Sequence, residues 1–540
     1  MNTRSRPRQH RSTALLTLAG LALTASLVSG PAALAAPAGS GSAISAGPRV
    51  GAGEDTTHEL APGLTHTILK LGDRSAVYPW TVQLTLPSGD PGVKDSNVST
   101  QEIAEGVNAQ LRETGLDART ERVDSLILAD AGGYLGHRVR VGAFAAQKDA
   151  TSVLAAVKTA GYGAGTWYTG WDGDSARVDQ ADGPLDVQVL TVDPRTFRGE
   201  VEATFGQDIE STETTSAMAQ DSLAGVNAGF FVFGPEHGAP GDPAGAGAYD
   251  GRILSETVGQ RPALVIDHRY GRARVERLTW DGSISSGALE IGLDGLNRVP
   301  GLIRNCGGVG DSPTDAPMHD VTCNDADETI AFTADFGPAT PSGSGRELVL
   351  DPLGKILEVK TSRGTVLAEG QTSVQATGSN AEELSQFAAS TRYVDVTNRY
   401  LDEDGHVLRM TPHTQVLNGG PMLVQDGQVH VSAARDGMVH QDNPGMFYGW
   451  VHQRNPRTLA GIDDQGRLVL ITADGRQTGS VGLSIAETAQ LATELGLRDA
   501  INLDGGGSTA MVVGGQLTNS PSGGTERAVG DAIVIRKRVA

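Results

Sequence analysis

From about residue 185 to the C-terminus the apolar runs are short and are broken by Gly, Asp-Gly or Asn-Gly, so this half of the chain cannot be built from long helices. It reads as a strand-rich domain of the α+β class over 185–540. Two stretches depart from the pattern. "AEELSQFAAS" (381–390) and "SIAETAQLATELG" (484–496) carry helical spacing, and in the second Ser484 and Glu487 fit a capping box, with Gly496 placed to stop the helix. "GAPGDPAGAGAY" (238–249) and "GPATPSGSG" (337–345) read as exposed loops.

The segment before residue 185 has a different texture. "YPWTVQLTL" alternates as a strand, and "STQEIAEGVNAQLRETG" places Ile103, Val107 and Leu111 at four-residue spacing. The unit then recurs. "GHRVRVGAF" is a second alternating strand, and "AAQKDATSVLAAVKTAGY" a second helix ending at Gly161, which gives a small βαββαβ module over 76–172. Residues 37–75, rich in Gly, Ala, Ser, Pro and Thr, read as a flexible linker. Residues 1–36 have a basic start, an apolar run and small residues at "ALAA", the layout of a secretory signal peptide cleaved near Ala35 or Ala36. An exported, secreted or wall-associated protein is expected.

A chain of 540 residues exceeds one compact core, so two or more domains are expected. Its 43 Lys+Arg against 64 Asp+Glu give a net charge of -21, which argues against nucleic acid and against anionic lipid as partners. The two cysteines, Cys306 and Cys323, close a short loop, and in an oxidising compartment they predict a structural disulfide. No His-rich or Asp-rich metal cluster is present. The acidic stretch 310–328 offers Asp320, Asp325 and Asp327 as calcium ligands, but their spacing matches no EF-hand loop, and a solvated acidic loop is the competing reading.

The residues that could carry chemistry centre on "INLDGGGSTAMVV" (501–513), where a strand ends on Asp504 and meets three glycines. A Walker loop needs a Lys before the hydroxyl residue, and a nucleophile elbow needs a Gly after it; neither is there. A backbone nest remains, in which the amides of Gly505, Gly506, Gly507 and Ser508, with Thr509 beside them, turn toward an anion. A plain glycine-rich hairpin connector is the alternative. "GVNAGFF" (225–231) and "VLNGGPMLV" (416–424) each end a strand on an asparagine next to small residues, offering Asn227, Gly229, Asn418, Gly419 and Gly420 to a substrate. "RNPRTLAGID" (454–463) adds Arg454 and Arg457, whose planar forks suit phosphate.

That set, in that order, resembles the phosphodiester glycosidase family, through Asn227–Phe231, Asn418–Pro421, Pro456–Thr458, Glu487 and Asn502–Ser508. Ala228 stands where a glycine is usual, and "RTLAG" replaces the commoner "RTAIG". The resemblance implies a hydrolase cleaving the glycosidic bond of a sugar-1-phosphodiester without a cofactor. Asp504 and Glu487 are then the carboxylate candidates and Arg457 the phosphate clamp. Residues 76–172 are similar to the SPOR domain, a peptidoglycan-binding module, which implies an exposed sheet face with Arg138, Arg140, Trp167 and Tyr168 on glycan strands. A non-catalytic binder of wall glycan or phosphoglycan and a nuclease-like phosphodiesterase are the competing function classes.

Overall fold

The computed structural model describes residues 54–88, 95–174, 183–269, 271–441 and 443–538; the expected signal peptide (1–36) and the first part of the expected linker (37–53) lie outside the described residues. At the centre is an antiparallel sheet of eight strands in the order Glu54–Ala61, Leu64–Leu71, Leu185–Val192, Leu468–Ala473, Arg457–Asp463, Leu497–Asn502, Met422–Gln425 and Gln428–Val429. Apolar side chains alternate between its two faces. Leu190, Val192, Ala460, Ile462, Leu468 and Leu470 face one core, while Val187, Val189, Leu459, Val469 and Ile471 face another. The helix Ile485–Glu494 covers the second core through Ile485, Ala489, Leu491 and Ala492. A five-stranded sheet closes the first, with Ala224 and Val226 of one strand and Ile533 and Ile535 of the C-terminal strand in its core. Each such side chain, fully withdrawn from water, contributes about 1.5–3 kcal/mol before entropy is counted.

The second expected helix of this half is present as Asn380–Ser390, and the capping box at Ser484 and Glu487 forms in both directions. Among the described residues no helix is long and apolar enough to cross a membrane.

Two expectations change. Residues 54–71 are not linker: they form a β-hairpin whose second strand pairs with Leu185–Val192 from Leu64 opposite Val192 to Leu71 opposite Leu185. In "LTHTILKL" the polar alternate residues dilute the apolar content, so a strand with one well-buried face looks like tether. The Gly/Ala/Pro-rich segment 238–249 is not an exposed loop either, since Ala239, Ala244, Ala246, Ala248 and Tyr249 are buried. Small residues are there because backbone packs against backbone: a Cβ on Gly241 would sit 2.1 Å from the Ser211 carbonyl oxygen.

Between Trp80 and Tyr168 the order strand, helix, strand, strand, helix, strand is present, as a four-stranded sheet packed on the helices Gln101–Glu113 and Thr151–Thr159 through Val82, Leu84, Leu111, Val139, Val141 and Val157. The described residues nevertheless fall in a single compact unit, with no division at 76 or 185. The reason is visible on the sheet face opposite the helices. Arg138 and Arg140 lie two residues apart on one strand, and both are buried. Arg138 meets Glu121 at 2.8 Å and Asp174 at 2.6 Å, Arg140 meets Asp172, and Arg138 also donates to the Tyr448 hydroxyl at 3.2 Å. His452 joins the cluster at 2.8 Å from Asp174.

This corrects the glycan-face reading. Arg138, Arg140 and Tyr168 are covered, and the Trp167 indole donates to Asp172 at 2.7 Å. Arg140→Ala is therefore expected to cost about 3–5 kcal/mol of unfolding free energy, because it takes the nearer of two cations from the buried Asp172 carboxylate. Denaturant unfolding of the variant measures it, and a loss under 1 kcal/mol contradicts the buried network.

Candidate active site

The strand ends named above come together, and asparagine amides tie them. The Asn227 side chain accepts from the Thr458 hydroxyl at 2.7 Å and the Ala510 amide at 3.1 Å, and donates to the Asp504 carbonyl at 2.7 Å. Asn418 accepts from the Phe230 amide at 2.8 Å and donates to the Phe230 carbonyl at 3.1 Å. Asn502 donates to the Gly420 carbonyl at 3.0 Å. The amide of Gly229 is held by Asp531 at 2.7 Å, and the Tyr249 hydroxyl donates to the other oxygen of that carboxylate at 2.8 Å.

Asn227 and Asn418 are thus buried ties between segments, not groups presented to a substrate. Gly419 and Gly420 are buried with them. The expected four-amide nest is likewise not open. The Gly505 amide donates to Asp504 Oδ1 at 2.9 Å, that of Gly506 to the Pro456 carbonyl at 2.9 Å and that of Ser508 to Gly505 at 3.1 Å. The glycines serve a close approach: a Cβ on Gly505 would lie 2.8 Å from the Pro456 oxygen, and Gly506 has φ +61°. Ser508 and Thr509 are buried beneath the loop.

Glu487 is consumed by structure. Its carboxylate closes the capping box to Ser484 and takes Arg454 at 2.6 Å, with a second Arg454 bond at 3.1 Å. Burial pushes its pKa up, but the Arg454 charge and hydrogen bonds outweigh this and leave it below the ordinary range. Arg457 is fully buried as well, donating to the carbonyls of Leu483 at 2.8 Å and Trp450 at 2.6 Å, and lying 5.0 Å from the Trp450 ring centre. Burial, with the Arg476 charge nearby, depresses it to about 9. It positions Trp450 rather than facing substrate.

Asp504 does face a cavity. Of about 330 Å³, this cavity has an aromatic wall of Phe230, Phe231, Phe233 and Trp450, and a polar wall that includes Arg304, Asn305, His319 and Arg527. Burial lifts the Asp504 carboxyl to about 6, with Ser508 and Arg527 pulling the other way. Arg527 ion-pairs with no described carboxylate; it lies 5.1 Å from the Phe233 ring and 3.5 Å from the Ser508 hydroxyl. His319 is buried with its ring 4.6 Å from Phe230, and its Nε2 has no protein partner. Burial and the Arg261 charge hold it neutral, well below its ordinary pKa.

Sequence reasoning found Asp504 but none of Arg304, His319, Trp450 or Arg527. His319 belongs to the loop closed by the disulfide and Arg304 lies just before it, and that bond was legible: Cys306 and Cys323 are joined, their Cα atoms 5.6 Å apart. Asp320 pairs with Arg304, Asp325 caps the Asp327 amide at 2.9 Å, and Asp327 accepts from the Ser379 amide at 2.5 Å. These three carboxylates therefore turn to separate partners and form no shared calcium site.

A cavity lined by one elevated carboxyl, aromatic rings and two arginines has the chemistry to hold an anionic, ring-bearing ligand. Residues 345–536 match the family model described as phosphodiester glycosidase. The chain's relatives include N-acetylglucosamine-1-phosphodiester alpha-N-acetylglucosaminidase of Mus musculus, 31% identical over 160 residues, and that of Homo sapiens, 34% identical over 124 residues. The matched parts are 29% of this chain and 30% of the mouse protein, and 23% and 24% for the human one, so the chain spans less than a third of these curated relatives. A crystal structure of a candidate exported protein from Burkholderia pseudomallei K96243 superposes with TM-score 0.80 at 30% identity, covering 92% of this chain and 98% of that one.

Proposed function

We propose that the chain is a secreted hydrolase that cleaves the glycosidic bond of a sugar-1-phosphodiester, of the N-acetylglucosamine-1-phospho type or from a wall phosphoglycan, at the cavity holding Asp504. The observation that carries this reading is that carboxyl, raised to about 6, lining one cavity with Phe230 and Trp450 and near Arg527. Sugar rings pack on aromatic faces, and a phosphodiester takes the forked donors of arginine. In the reaction the bond between the anomeric carbon and the phosphate oxygen breaks, and its electron pair leaves on the phosphomonoester. Water adds to the anomeric carbon. A phosphate is a good leaving group, so the site needs little general acid. Its larger tasks are charge stabilisation by Arg304 and Arg527 and a carboxylate at Asp504, which activates water or meets the oxocarbenium ion.

The family match supports hydrolysis over simple binding of the same glycan. Incubation with a panel of sugar-1-phosphodiesters tests this: free sugar and phosphomonoester are expected, and a binding protein releases neither. A nuclease-like phosphodiesterase would instead leave a sugar phosphate. The small βαββαβ module is proposed to hold the enzyme at the wall, through surface other than the buried Arg138–Arg140 face. Co-sedimentation of the full chain with purified peptidoglycan tests that, and a chain that stays in the supernatant contradicts it.

A further inference from the structure

A second cavity, of about 60 Å³, lies behind the wall of the first and shares Arg304 and Asn305 with it. Its lining includes four carboxylates, Asp242, Glu256, Asp294 and Asp311, the last of which accepts from the Gly307 and Gly308 amides. Asp242 is only 2% exposed, and neither of its carboxylate oxygens has a protein partner. A buried carboxylate so placed must be neutralised, by a proton or by a cation. The nearby charges increase the demand. Two guanidiniums line it: Arg298 is already shared between Glu256 at 2.6 Å and Glu328 at 2.5 Å, and Arg304 pairs with Asp320. Asp242 additionally feels Glu256 and Glu210, which, after burial itself, are what drive its carboxyl far above the ordinary range. Asp294 is held only by the Thr329 amide, at 2.7 Å.

We propose that this cavity binds a divalent cation through Asp242, with Glu256 as the second carboxylate and water and lining oxygens completing its shell. All the side-chain donors are hard oxygens, which favours calcium or magnesium over zinc or copper. The irregular, buried lining favours calcium, because magnesium gives up its water reluctantly and demands octahedral geometry. Arg298 keeps Glu256 oriented from the other side, as an outer partner does at a metal site. The consequence reaches the active site. Asn305 donates to the Ala244 carbonyl at 3.1 Å and accepts from the Asp320 amide at 2.9 Å, so it joins the segment after Asp242 to the loop bearing Arg304 and His319. The cation therefore fixes the polar wall of the catalytic cavity from behind.

The test uses the intact chain, stripped with chelator, exchanged into chelator-free buffer and then titrated with calcium chloride or magnesium chloride. At calcium about a hundredfold above its dissociation constant, the melting temperature should rise by about 4 °C, and magnesium should give a smaller rise. Asp242→Asn should abolish the rise. In chelator this variant should melt no lower than wild type, because it removes a buried carboxyl that must take up a proton to fold, so the order of the two proteins reverses when calcium is added. A wild-type melting temperature indifferent to calcium overturns the proposal, and so does a rise of equal size in Asp242→Asn. Terbium luminescence gives a readout independent of stability: one saturable site is expected in wild type, and its persistence in Asp242→Asn also overturns the assignment.

Discussion

Asp504→Asn should lower kcat/KM on a sugar-1-phosphodiester by about a thousandfold while leaving the melting temperature within a few degrees of wild type. The substitution keeps the shape, and the Gly505 amide can still donate to the remaining side-chain oxygen. What it removes is the only carboxylate of the cavity not already held by an arginine, since Asp320 is paired with Arg304. Stability is little affected because burial is the largest influence on Asp504, and a buried charge costs more to keep than an amide. The pH profile should agree. As the ionised form is the working one and burial raises the carboxyl to about 6, kcat/KM should climb as pH rises through about 6, and the variant should lack that limb. A folded Asp504→Asn enzyme within tenfold of wild type would remove Asp504 from the reaction.

Glu487→Ala should have the opposite signature. It leaves Arg454, which is 6% exposed, without the carboxylate that meets it at 2.6 Å, and it opens the capping box at the start of Ile485–Glu494. Breaking a buried pair from one side costs about 3–5 kcal/mol, and the lost cap about 1 kcal/mol more. Denaturant unfolding should show that loss, while the fraction that stays folded should keep kcat within a few fold of wild type. Because Arg454 and Ser484 hold the folded pKa of Glu487 below its unfolded value, its contribution to stability is present above about pH 4.5 and fades as the pH falls below that. A stable Glu487→Ala protein with abolished turnover would restore it to the catalytic set.

These two residues show where sequence is informative and where it stops. Both are acids in the motifs that carry the family resemblance, and that resemblance made both candidates. The capping box at Ser484 and Glu487 was legible because it is a local pattern of fixed spacing. That Arg454, 33 positions earlier, fills the remaining side of the carboxylate was not. The same division runs through the fold. Period-two strands, the two long helical stretches of the larger half, the βαββαβ order and the disulfide follow from short-range signals. By contrast, Arg138 and Arg140 alternate with valines, the pattern of a solvated face. Only the tertiary arrival of Glu121, Asp172 and Asp174 makes that face interior. The cavity has the same character: beside Phe230 of the Asn227–Phe231 motif, Arg304, His319, Trp450 and Arg527 come from four separate segments, and none of these four carries a local mark of its role.

The buried position of Arg457 changes what its substitution should report. Its bonds to the Leu483 and Trp450 carbonyls orient the aromatic wall, so its effect on catalysis passes through Trp450. In the proposed reaction the groups that meet phosphate charge are the arginines lining the cavity, Arg304 and Arg527.

The most direct test of the account is the position of bond cleavage, read by running the reaction in ¹⁸O-labelled water with a defined sugar-1-phosphodiester. If the cavity at Asp504 works as a phosphodiester glycosidase, the label appears at the anomeric oxygen of the released sugar and the phosphomonoester carries none. Label in the phosphate would show attack at phosphorus, and would contradict the assignment of the site to glycosidic cleavage.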